Sequence, residues 1–220
     1  MIREVSLEEI SDGKLYTAND MVKADCGDCK GCWACCKGMG GSIVLDPMDI
    51  YRLTVGLGMS FEDLLKEHIE LQLVDGLILP NLKMAGAEEK CSFLNDMGRC
   101  SIHPYRPGIC RLFPLGRYYE ENGFKYFLQT GECKNQNRTK VKVKKWIDTP
   151  ELKRYEAFIL DWHFIMKHLR TRLDESEGMQ LRKTAGMMLL QVFYMKPYDS
   201  EKEFYTQFEE RKNQFSDIFA

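Results

Sequence analysis

The chain has 220 residues, 44% of them hydrophobic, and a formal net charge of −2. That apolar supply is enough for one large domain, or a small domain with a helical extension, without disulfide support. The charge balance excludes a global basic field for nucleic acid and an acidic tail.

The opening MIREVSLEEI has no apolar core of signal-peptide length. No stretch reaches the roughly 18–20 apolar residues that span a bilayer. Both features predict a cytoplasmic protein in a reducing compartment, with no membrane partner.

The elements fall into two parts. Residues 21–137 hold all nine cysteines and form the expected metal-binding domain; residues 149–218 hold none and form a helical C-terminal extension packed on it. The fold class expected is α+β. SIVL (42–45) reads as a short strand. Asp46 then caps a helix with Pro47 at its first position, running through Ile50 and Leu53 and stopping near Gly56 and Gly58. Ser60 and Asp63 resemble a capping box that opens a second helix, FEDLLKEHIEL. Asp75-Gly76 turns a hairpin between LQLV and LILP.

CSFLNDMGRCSI reads as another hairpin, with turn residues Asn95, Asp96 and Gly98 between two β-prone runs. RYYEENGFKYFLQT reads as a third. An Asn122-Gly123 turn of type I′ places Glu120 opposite Lys125 and Tyr119 opposite Tyr126. TKVKVKKWI suits a strand by its alternation and a short helix by its surroundings. Thr149 caps and Pro150 starts a long helix with apolar residues from Leu152 to Leu169 at 3–4 spacing. Met179 to Met195 forms a second helix, ended by Pro197. Ser200 with Glu203 caps a third through Phe204, Phe208 and Phe215.

Cysteine carries the chemical information. Five of the nine, Cys26, Cys29, Cys32, Cys35 and Cys36, fall within eleven positions. A C-x-x-C pair presents two sulfurs to one metal from a tight turn. Gly27, Gly31 and Gly38 let the backbone curl so that N–H groups point at sulfur. On a helix, at about 100° per residue, Cys29, Cys32 and Cys36 share an arc of about 60°. Adjacent cysteines rarely serve one metal, so Cys35 and Cys36 either address different metals or leave one as a spare.

The second group is Cys91, Cys100, Cys110 and Cys133, with His103 as a possible nitrogen ligand. Together these sulfurs suffice for two four-cysteine sites, or for one cluster with auxiliary thiols. Soft thiolates select zinc or iron–sulfur centres over magnesium or calcium. A buried thiol packing as a small hydrophobe is the bland alternative, and for a lone cysteine the better one. The clustered spacing favours ligation. Arg106 and Arg111 flank Cys110, where they balance thiolate charge or bind an anionic substrate; charge balance is the better-supported role.

Other motifs read as structural. His163 and His168 are five apart on a helix, off a common face. Lys140, Lys142, Lys144 and Lys145 form a solvated basic face with Trp146 as its one aromatic, which argues against a nucleic-acid partner. Gly38-Met39-Gly40-Gly41 precedes a strand and is not a dinucleotide fingerprint.

Cys29-x2-Cys32-x2-Cys35-Cys36, followed by C-S-F-L…G-R-C-S-I-H-P-Y-R-P-G-I-C-R-L-F-P, resembles the YkgJ-type cysteine-cluster family named for its CxxCxxCC motif. The resemblance spans about residues 26–137 and includes SIVLDPMDIYRL and GMSFEDLL. It implies zinc or iron chelation by Cys29, Cys32, Cys35, Cys36, Cys91, Cys100, Cys110 and Cys133. Cys26 lies outside the core motif. The family includes flagellin lysine N-methylases, which makes S-adenosylmethionine a possible second cofactor; no separate signature for that cofactor stands in the chain. The reading favoured is an iron–sulfur cluster, [4Fe–4S], ahead of zinc or iron ions, in a redox or metal-handling role with an unknown protein or redox partner.

Overall fold

A computed structural model describes residues 6–27, 32–135, 137–175 and 179–219. It is a mixed α+β fold. Short antiparallel hairpins fill the N-terminal part, and helices fill the C-terminal part.

A short helix α1 (Leu7–Ile10) leads into strand β1 (Ser11–Tyr16), and β2 (Met21–Asp25) follows. Helix α2 (Pro47–Leu57) begins as its sequence demands. The Asp46 carboxylate accepts from the Asp49 N–H at 2.9 Å, and Asp49 returns the bond to the Asp46 N–H at 3.1 Å. This reciprocal pairing satisfies two donors that the first helical turn leaves open. Gly58, at φ 65°, ends the helix in the left-handed region. Helix α3 (Phe61–Glu67) has Ser60 as its cap.

The helix expected through Leu71 stops at Glu67. Ile69 already belongs to β3 (Ile69–Val74), which pairs with β4 (Leu77–Leu82) from Ile69↔Leu82 to Val74↔Leu77. Asp75 and Gly76 both take positive φ at the turn, as a two-residue hairpin of primed type requires. The ladder buries Ile69 and Leu82, so the long hairpin outcompetes a further helical turn. SIVL is likewise not a strand. Val44 makes a single bridge to Asn81, alongside the bond from the Leu45 N–H to the Pro80 carbonyl.

Strands β5 (Met84–Ala85) and β6 (Lys90–Cys91) form a short ladder. Beyond it the expected CSFL hairpin reduces to one bridge, Leu94↔Cys100. The Asn95 side chain accepts from the Met97 and Arg99 N–H groups and curls the chain before a ladder can extend. Helix α4 (Gly108–Leu112) follows, then β7 (Leu115–Glu120) and β8 (Gly123–Gln129).

The β7–β8 turn is Glu121-Asn122, one residue earlier than expected. Glu120 pairs with Gly123 and Tyr119 with Phe124. This register sets Leu115 against Leu128, and both are buried. The expected register would have set Leu115 against Thr130, so apolar pairing in the core decided the turn. β1 joins the other edge of β8, giving the order β1-β8-β7.

TKVKVKKWI is both of its alternatives: β9 (Thr139–Lys142), paired with β2, and helix α5 (Val143–Ile147). The long helix α6 (Leu152–Glu175) starts two residues after the expected Pro150. Asp148 and Glu151 both have positive φ, so the chain kinks there. Arg111 pins the kink by donating to the Asp148 carbonyl at 2.9 Å. Helix α7 (Met179–Leu190) passes into a π turn at residues 191–195, and α8 (Phe204–Phe219) follows.

Two buried clusters organise the molecule. The first joins α2, α3, β3 and β4 to α6, the π turn and α8, with Leu53, Leu64, Tyr155, Phe193 and Phe208 fully buried. The Phe158 and Phe208 rings meet edge to face at 4.8 Å. The second and smaller cluster joins β2, β7, β8 and α5 through Val22, Leu115, Tyr126 and Ile147. Among the described residues no helix is long and apolar enough to cross a membrane.

Candidate metal centre

The two apolar clusters support two groups of thiols. Cys91 is part of the first cluster, and Cys36, Cys100 and Cys110 pack against it. Four separate segments deliver this deep group. A 3-10 turn over Ala34–Cys36 carries Cys35 and Cys36. A bridge Lys37↔Lys90, with the Gly38 N–H donating to the Glu89 carbonyl at 3.0 Å, holds that turn beside β6 and so beside Cys91. The Leu94↔Cys100 bridge brings in Cys100.

Helix α4 brings in Cys110. Its first N–H, on Gly108, donates to the Asp49 carboxylate at 2.7 Å. Gly108 also lies flat against Tyr155, where a Cβ would sit 2.1 Å from the hydroxyl oxygen. Only glycine lets α4 approach α6 this closely. Trp33 lies over Gly98 in the same manner, its ring 2.4 Å from where a Cβ would stand. That contact fixes the segment preceding Cys35 against the turn preceding Cys100.

The charges of these thiols act on one another. The Cys36 S–H donates to Cys35, and this bond, helped by Arg106, lowers the Cys35 pKa to about 7 against the opposing cost of burial. The same bond, then burial and the neighbouring Cys35, Cys91 and Cys110, pushes Cys36 far up. Burial raises Cys91, with repulsion from Cys100 and Cys35. Burial raises Cys100 too, while the Ile102 N–H and Arg106 oppose the shift. Cys110 is driven well up by burial and by Cys91, Asp49, Cys35 and Cys100. Several thiols sharing a low-dielectric space cannot ionise together without a cation to take up the charge.

The second group is shallower and rests on the β2–β9 pair. Asp25 at the end of β2 lies opposite Thr139 at the start of β9. Cys26 follows β2, and Cys133 precedes β9. Burial raises Cys133, the Asn135 N–H and Arg138 oppose the shift, and Cys26 and Cys32 add repulsion. Cys29, expected as a ligand on the same motif, lies outside the described residues. Each group therefore mixes early and late cysteines, and Cys35 and Cys36 stay together in the deep one.

Cys32, Cys35, Cys36, Cys91, Cys100, Cys110 and Cys133 are all thiols without a disulfide. Among the described residues, no three His, Cys, Asp or Glu side chains stand as a ready coordination sphere. The donor chemistry fits a thiophilic metal nonetheless: five thiols are gathered, shielded and mutually repelling, with a guanidinium beside them.

The arginines differ in role. Arg106 acts on Cys35 and Cys100. Arg111 is committed to the backbone and donates to the carbonyls of Pro104, Arg106 and Asp148. It braces the loop that carries Arg106. His103 opens a 3-10 turn over His103–Tyr105 between Cys100 and α4. Sequence reasoning missed Arg138, whose buried Nε and Nη1 have no acceptor among the described residues and whose charge reaches Cys133. It also missed Asp49 as the tie between α2 and α4. An acidic residue at the third position of a helix signals a cap, and nothing in the local sequence signals a partner 59 residues away.

In the metal-free protein, Cys35 is expected to be the thiol that iodoacetamide modifies first at pH 7. Its labelling rate should fall about tenfold per pH unit well below its pKa, as the thiolate fraction falls. Mass-spectrometric mapping of the modified peptide against pH checks this, and faster labelling of Cys91 or Cys110 would contradict it.

A mixed α+β fold that gathers thiols from distant chain segments defines a cysteine-rich metal-chelating protein. The CxxCxxCC family, described as "Putative zinc- or iron-chelating domain", matches residues 28–139. The chain belongs to this family, and the matched segment covers just over half of it. No curated protein and no solved structure matches the chain.

Proposed function

We propose that the chain carries an iron–sulfur centre, of [4Fe–4S] type, on the deep thiols Cys35, Cys36, Cys91, Cys100 and Cys110. Cys26, Cys32 and Cys133 form a second thiol site; Cys29, a ligand the family motif implies, lies outside the described residues. The observation that supports this reading is the coupling of five thiols drawn from four chain segments. A thiophilic cation relieves their repulsion and binds as their protons leave. When bound, a cluster would supply one-electron chemistry, and its potential would respond to burial and to the Arg106 charge. The role proposed is redox or metal handling in the cytoplasm, with a protein as redox partner.

Anaerobic purification followed by elemental and acid-labile sulfide analysis tests the proposal. Iron and sulfide in equal amounts, in a brown protein that bleaches in air, is the expected result. Tightly held zinc in a colourless protein would overturn the cluster and leave chelation standing. Protein-lysine methylation, which the family resemblance also suggests, is a separate reading. It requires heat of binding when the loaded protein is titrated with S-adenosylmethionine.

A further inference from the structure

A cleft of about 1060 Å³ opens between α2, the His103–Arg111 segment, α5 and the starts of α6 and α8. Its volume lies at the upper end of small-molecule sites. Its charged lining is Arg52, His103, Arg106, Arg111, Lys144 and Lys145 against Asp148, Glu151 and Glu203. Arg154, just outside the lining, offsets one of the two glutamate charges. It binds Glu151 at 3.1 Å and Glu203 at 2.9 Å.

The cations are less well matched. Arg111 spends its donors on neutral carbonyls, and the Asp148 charge acts on it without a direct ion pair. Arg52 faces Asp46 and Asp49, yet among the described residues its buried Nη1 has no acceptor, nor does the buried Nε of Arg106. Lys144 and Lys145 are exposed on α5. Aromatic side chains, Tyr51, Phe204 and Tyr205, complete the wall. Such a surplus of positive charge in a concave, partly apolar space attracts an oxyanion attached to an organic body.

We propose that this cleft binds a small organic anion through a phosphate or carboxylate group, held by Arg106, Lys144 and Lys145. Arg106 belongs both to the cleft wall and to the electrostatic surroundings of Cys35 and Cys100. The anion therefore lies next to the deep thiols, where it sits as substrate or effector of the centre they hold. The location beside a metal centre rests on the function proposed above; the cleft itself does not.

Calorimetric titration of the full chain with inorganic phosphate, citrate and ATP tests the proposal, on protein as isolated and after metal removal. Saturable binding of at least one of these anions to both forms is expected. The double variant Lys144→Glu, Lys145→Glu should weaken it at least tenfold. A control double variant, Lys140→Glu with Lys142→Glu, changes the same basic run outside the cleft and should change it less than threefold. Circular dichroism and melting confirm that both variants fold. Equal loss in the two doubles would reduce the effect to a diffuse basic surface and overturn the proposal. So would no binding at millimolar anion, or binding only by the metal-loaded form, which would put the anion on the metal. Because the metal-stripped arm is decisive, failure of the metal reading and failure of the cleft stay distinguishable.

Discussion

Serine in place of both Cys91 and Cys110 should strip the deep centre, lowering its apparent metal affinity by at least about 100-fold. A serine hydroxyl is a hard, weakly acidic donor and does not replace a thiolate on zinc or iron. The two positions come from different segments, β6 and α4, so no neighbouring thiol on the same segment can substitute. A triple variant, Cys26→Ser, Cys32→Ser and Cys133→Ser, should leave the deep metal in place and lose only the shallow share. Elemental analysis after desalting reads both results. Complete loss in both variants would mean one shared centre and end the two-group description.

The acid dependence of binding follows from the same thiols. Cys91, Cys100 and Cys110 are raised, chiefly by burial, so they are protonated near neutrality and metal must displace their protons. Apparent affinity should therefore climb with pH, by about tenfold per pH unit for each proton released.

Asp49→Ala should cost about 3–5 kcal/mol in stability and loosen the metal at the same time. The carboxylate is 1% exposed and accepts from two backbone N–H groups, those of Asp46 and Gly108. Removing it leaves the buried Gly108 donor and the half-buried Asp46 donor without this acceptor, at about 1–3 kcal/mol each, and deletes half of a reciprocal helix cap. Burial raises the Asp49 pKa, while the Gly108 and Asp46 N–H groups, Arg52 and Arg117 oppose the shift. Asp49→Asn keeps one carbonyl oxygen and should recover more than half of the loss. Urea unfolding of the metal-free variants measures the first effect, and metal retention by folded Asp49→Ala measures the second. A cost below about 1 kcal/mol would show that Gly108 and Cys110 are positioned by the surrounding packing alone.

Local signals in the chain were strong wherever the physics is local. The Asp46 cap, Pro47 at the first helical position, the Asp75-Gly76 turn and the apolar spacing of α6 each follow from nearby residues acting through hydrogen bonds or φ preference. The cysteine spacing likewise announces chelation before any fold is known, because ligand type and clustering are properties of the chain. Errors arose where two local solutions competed. FEDLLKEHIEL can be helix to its end, but Ile69 gains more by pairing with Leu82 in the hairpin. Asn122-Gly123 can form a primed turn, but Leu115 then loses Leu128 as its buried neighbour.

Which thiols meet was decided only by the tertiary structure. Cys35 and Cys36 join Cys91, Cys100 and Cys110 because a bridge at Lys37↔Lys90 and a carboxylate 59 residues before Gly108 hold those segments together. Cys26 meets Cys133 because β2 and β9 pair across most of the chain's first two-thirds. Ligand identity is a matter of side-chain chemistry, legible one residue at a time. Ligand grouping depends on long-range pairing of backbone and core, and no spacing along the chain encodes it.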